Sequence, residues 1–179
     1  MKTVLPLLCV FGICWCLWSC ERAESHSEIP EIHFTSLKFD SVYTALEVWE
    51  KKAILTFSFI DGDGDIGVKS PFDSISKIHY TWYKKMPDRT YEPFQFPQTG
   101  TIADSTAIPY SSVMNKDEAQ NTTLKGTIEI ALDAPNKPQN IDTMRIEFCI
   151  FDRARNKSNV EYTPDFSILN TSNIEEKKE

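Results

Sequence analysis

The clearest signal along the chain is a two-residue alternation of apolar and polar positions, the period of a strand with one buried face. Leu55, Phe57 and Phe59 share one face, with Thr56 and Ser58 on the other. Ile78, Tyr80 and Trp82 oppose Lys77, His79 and Thr81, and Ile128, Ile130 and Leu132 alternate with Thr127, Glu129 and Ala131. Met144, Ile146, Phe148 and Ile150 alternate with Arg145, Glu147 and Cys149, while Val160, Tyr162, Phe166 and Ile168 keep one phase through Pro164. A first strand is expected near Ile32 to Phe39, giving at least six strands with turn-rich connections. No comparably long helical period occurs, and β-branched and aromatic residues concentrate in these runs. The expected class is all-β, an antiparallel immunoglobulin-like or fibronectin-like β-sandwich. Trp82 falls where such sandwiches place a core aromatic, although any β core can hold a tryptophan this way.

Two connections stand apart from the alternation. Met86 to Gly100 carries Pro87, Pro93 and Pro97 amid Tyr91, Phe94 and Phe96. Three prolines exclude a regular central strand and leave an edge strand or a long loop. Its aromatics either form a recognition surface or pack down onto their own domain. Ile108 to Thr123 reads as an exposed connection with a short helical turn around Asn115 to Gln120.

Upstream of the strands, Met1-Lys2 precedes an apolar run from Val4 to Trp18, and the composition turns polar at Cys20-Glu21-Arg22. This is the profile of an export signal, and no cluster of Lys or Arg follows the run to stop transfer. Leu17-Trp18-Ser19-Cys20 resembles a bacterial lipobox, with Trp18 departing from the pattern. That resemblance implies a covalent lipid on Cys20 and attachment to a membrane through it. The expected organisation is a signal peptide over residues 1–19, a flexible tether over 20–30, the sandwich over 31–170 and a polar tail over 171–179.

Removing residues 1–19 takes away Lys2 and no acid, moving the formal net charge from −7 to −8. An acidic chain argues against nucleic acid and against an anionic membrane surface as partners, since both need a basic patch. Of five cysteines, Cys9, Cys14 and Cys16 lie in the apolar run, and only Cys20 and Cys149 remain. No disulfide framework follows, so the domain must rely on its core.

The richest candidate chemistry is Asp61-Gly62-Asp63-Gly64-Asp65-Ile66-Gly67, placed where the second strand ends. Glycine tolerates positive φ, and Asp side chains fold back on nearby N–H groups, so the segment is a tight reversal. Three carboxylates at alternate positions converge when such a backbone curls, and hard oxygen ligands of this kind suit Ca²⁺. The spacing matches the first three ligands of an EF-hand, but Ile66 replaces the glycine that motif needs and Phe72 replaces its closing glutamate. It is not an EF-hand. The loop either binds Ca²⁺ with further ligands from elsewhere or uses its acids only on its own backbone.

A second turn, Asp152-Arg153-Ala154-Arg155-Asn156-Lys157-Ser158-Asn159, is similar to the Asp-x-Ala-Gly-Asn-x-Ser turn between the last strands of many bacterial immunoglobulin-like modules. Arg155 stands at the usual glycine, so a positive φ there would be strained. Together the two motifs resemble a group of small Bacteroidetes-type lipoproteins, across most of the chain after Cys20. The resemblance implies the sandwich and an outer-membrane location, at the cell surface or the periplasmic face, and no activity. In such a sandwich both loops sit at one pole. Asp61, Asp63 and Asp65, with Asp152 and Asn156, would then form one oxygen-rich calcium site.

Asp40-Ser41, Asp73-Ser74, Asp104-Ser105 and Asp142-Thr143, each followed by Val, Ile, Thr or Met, resemble the O-glycosylation tripeptide of exported proteins in that group. Ser41, Ser74 and Ser105 are the candidate acceptors. Catalysis has little to stand on. His26, His33 and His79 lack metal-ligand spacing, and no nucleophile-elbow, phosphate-loop or dinucleotide signature occurs. Two functions follow as expectations. The first is a non-catalytic, lipid-anchored accessory or structural subunit docked on an outer-membrane protein. The second is an independent glycan- or peptide-binding module using Tyr91, Phe94 and Phe96.

Overall fold

The computed structural model describes residues 26–43, 47, 49–68, 76–96, 100–109, 113–118, 123–135, 141, 143–167 and 174–175. Among them there are strands and no helix. The alternating runs become β1 (Glu31–Tyr43), β2 (Trp49–Asp61), β3 (Lys77–Lys85), β7 (Leu124–Asp133) and β8 (Met144–Phe151). Shorter strands are β4 (Tyr91–Pro93), β5 (Ala103–Ala107), β6 (Val113–Glu118), β9 (Glu161–Tyr162) and β10 (Ile174–Glu175).

One sheet runs β10-β1-β2-β7-β6. The other runs β4-β3-β8-β9, with β5 paired to the same edge of β3 as β4. All named strand pairs are antiparallel. With β1, β2, β6 and β7 in one sheet and β3, β8 and β9 in the other, the division is that of an immunoglobulin-type sandwich. Leu55, Phe57, Ile78, Trp82, Ile128, Ile146 and Ile150 are fully buried between the sheets. Trp82 meets Phe166 and Phe96 edge to face, with centroids 5.8 and 6.4 Å away.

Two expectations are corrected. Residues 115–118 belong to β6, not to a helical turn. The backbone edge of β7 takes a partner, and a register shift between Met114 and Asp117 absorbs the polar stretch. Val160 and Tyr162 face outward while Thr163 and Phe166 are buried, so the last run does not keep one phase. The Thr163 hydroxyl and backbone carry the turn inward by bonding Ile146. In the tail, Ile174–Glu175 adds a strand beside Ser36 and Leu37. Within the stretch expected as tether, Pro30 is buried and residues 26–28 lie against the fold.

The start of β1, the ends of β2 and β8 and the starts of β3 and β7 gather at one pole. Glu31 pairs with Ile60, Asp61 with Leu124, and Lys77 with Phe151.

Candidate metal centre

Asp61 continues the inward phase of Phe57 and Phe59, and Asp152 continues that of Phe148 and Ile150. Each strand therefore ends by pointing a carboxylate toward the gap between the sheets, one from each sheet. Both residues are 0 % exposed.

The chain after Asp61 is pinned so that the acidic loop cannot drift. Ile66 and Val68 are buried, Val68 N–H donates to the Ile108 carbonyl at 2.9 Å, and Gly67 N–H donates to Ser76 Oγ at 3.0 Å. Gly64 and Gly67 take φ of 67° and 91°, values that glycine adopts without a Cβ penalty. The opposing turn has Arg155 at φ 71°, the left-handed conformation foreseen at that position.

These constraints bring the two loops together. One carboxylate oxygen each from Asp61, Asp63, Asp65 and Asp152 lies within 4.8 Å of the others. The loops are stitched by Arg153 and Ala154, whose N–H groups donate to Asp65 Oδ1 at 3.3 Å and Oδ2 at 2.8 Å. Asp65 N–H closes the first loop onto Asp61 Oδ2 at 2.9 Å. Asn156 lies against the cluster. Its backbone N–H and Nδ2 donate to the two oxygens of Asp152 at 2.7 and 2.8 Å, so it orients that carboxylate.

Burial, reinforced by Asp63, pushes Asp61 up to about 7, against a lowering by the Asp65 N–H. Burial and the charges of Asp152 and Asp63 raise Asp65 as well, against the N–H groups of Ala154 and Arg153. Asp61 Oδ1 and Asp63 Oδ1 are buried and find no hydrogen-bond partner among the described residues. Unpartnered buried carboxylate oxygens need a proton or a cation. The donor set is all hard oxygen, which fits Ca²⁺; a full shell of six to eight would be completed by bidentate contacts, backbone carbonyls or water.

The other sequence candidates are placed elsewhere. Phe94 is buried, and Phe96 packs against the core and stacks edge to face on Phe94 at 5.4 Å. Those two aromatics thus pack onto their own domain. Tyr91 lies on the outer face beneath Arg145, whose guanidinium carbon is 3.6 Å from its ring centre and 4.6 Å from that of Tyr162. Ser41 and Ser105 are exposed, each with its N–H on the preceding aspartate at 2.7 Å. Cys20 and Ser74 lie outside the described residues. Sequence reasoning missed that His79 and Cys149 are direct cross-strand neighbours. Cys149 is buried, which raises its thiol, and burial with Lys77 and Lys157 lowers His79.

No protein-family model matches this chain, and no curated protein or solved structure matches it.

Proposed function

We propose that the chain is a calcium-stabilised, non-catalytic β-sandwich, lipid-anchored at Cys20, that serves as an accessory or structural subunit of an outer-membrane protein assembly. The observation that carries the calcium part is the pair of unpartnered oxygens on Asp61 and Asp63 inside a four-carboxylate cluster. Asp61, Asp63, Asp65 and Asp152 would hold the ion, with Asn156 fixing Asp152. The ion would tie the end of β2 in one sheet to the end of β8 in the other. The anchor is argued from the apolar run and Cys20 in the sequence. The accessory role is supported by the inward packing of Phe94 and Phe96, which removes two of three aromatics from a ligand-binding loop.

A binding-module reading retains one support, the Arg145 guanidinium layered with Tyr91 and with Tyr162, itself 43 % exposed. Such aromatic and arginine groups are enriched where proteins meet partners.

The deciding experiment is native extraction through a tag placed after Glu179, in calcium and in chelator, with co-purifying proteins identified by mass spectrometry. A stoichiometric membrane protein retained in calcium is the expected result. A clean monomer in both conditions overturns the subunit reading and directs attention to soluble glycans and peptides.

A further inference from the structure

We infer that the cation pole is also a clasp for the segment by which the chain enters the domain, so that the domain's angle to whatever precedes residue 26 depends on calcium. The inference rests on the calcium reading above and adds to it a moving part.

Residues 26–28 touch both site loops. Gly62 N–H, between Asp61 and Asp63, donates to the Ser27 carbonyl at 2.8 Å. A Cβ at Gly62 would sit 2.5 Å from the carbonyl oxygens of both His26 and Ser27, so the close approach requires glycine. Across the pole, Asn156 Nδ2 donates at once to Asp152 Oδ2 at 2.8 Å and to the Glu28 carbonyl at 3.4 Å. Both of these hydrogen bonds are made by a group held between, or bonded to, proposed ligands.

The ligand pull comes from the buried interior of the same cluster. Asp61 is 0 % exposed and its Oδ1 has no partner among the described residues. A divalent cation that draws Asp61, Asp63 and Asp152 inward fixes Gly62 and Asn156 in the positions that receive the segment. Without it, crowded carboxylates repel and both receiving groups loosen together. The next anchor is independent of the acids: Asn159 donates to the Ile32 carbonyl and accepts from Ile32 N–H, each at 2.8 Å. Release therefore stops at about residues 29–31, which become the hinge.

Hydrogen exchange on the full chain in detergent, in calcium and in chelator, tests this, with calcium binding measured by calorimetry on the same preparation. Exchange at the Gly62 N–H, which donates to the Ser27 carbonyl, should slow at least tenfold in calcium, while that of residues 32–34 stays protected in both. Calcium binding with unchanged exchange at the Gly62 N–H overturns the clasp and leaves the metal site standing. Absence of binding overturns the site and the clasp with it. Gly62→Ala keeps every carboxylate and removes the seat for His26 and Ser27. It should free the segment even in calcium and, by reciprocity, weaken calcium binding several-fold. A folded Gly62→Ala with full affinity and an N–H at position 62 still protected in calcium also overturns the clasp. If that variant does not fold, the comparison on the unaltered chain decides.

Discussion

Asp61 concentrates the chemistry of the pole in one side chain. Its place at the inward phase of β2 removes it from water, and Asp63 adds a like charge, so its acid form persists up to about 7 in the cation-free fold. In the unfolded chain the same group titrates near 3.8. Between those values the folded state binds more protons than the unfolded state, so the stability of chelated protein falls as pH rises through the window. The loss is at most about 4 kcal/mol, at 1.36 kcal/mol per pH unit. A bound cation stabilises the ionised form and should flatten the dependence. Thermal unfolding in chelator from pH 4.5 to 7.5 should show a falling midpoint, and Asp61→Asn, which keeps an acceptor for the Asp65 N–H, should remove most of the slope. A midpoint that climbs over this range in chelator contradicts a buried, unpartnered Asp61.

At the scale of elements, the long strands were legible because both sheets bury one face, and Leu55, Phe57 and Phe59 or Ile78, Tyr80 and Trp82 write that burial as alternation. Of the short edge strands only β4 was, as one of the two readings of Met86 to Gly100. β4, β5 and β6 exist because β3 and β7 offer unpaired backbone, and a backbone partner leaves little trace in side-chain pattern. The two motifs were legible as turns, and their phase held more than turn chemistry alone revealed: Asp61 and Asp152 each extend a buried face by one step. Asn156 as an orienting group and His79 beside Cys149 depend on register and rotamer, which spacing does not fix. Trp82 tests the sheet-to-sheet packing. It is 0 % exposed and its Nε1 finds no partner among the described residues. Trp82→Ala should cost about 3–5 kcal/mol in denaturant unfolding. Trp82→Phe should cost clearly less, since it removes an unsatisfied N–H together with the lost area. Equal losses would mean that the indole N–H has a partner.

For the whole molecule, the pole joins two sheets that share an apolar core, in an acidic chain whose one described cysteine, Cys149, is free. A cation bound only by the folded state stabilises by mass action, about 2.7 kcal/mol at a hundred times its dissociation constant. For a domain of this size that corresponds to a rise of about 5–11 °C in midpoint. Magnesium should give a smaller rise, because it demands tight octahedral geometry and sheds water reluctantly, whereas a site of loop carboxylates suits the larger ion. Asp63→Asn and Asp152→Asn test the sharing directly, since one lies on each loop and Asp63 leaves the core packing untouched. Both should reduce the calcium-induced rise and weaken affinity in calorimetry, with Asp152→Asn also loosening Asn156. If only Asp63→Asn acts, the ion belongs to the first loop alone; if neither does, the acids serve their own backbone and the pole holds no metal. A rise lost in both variants makes calcium the inter-sheet tie that this sandwich uses at the end where the chain enters.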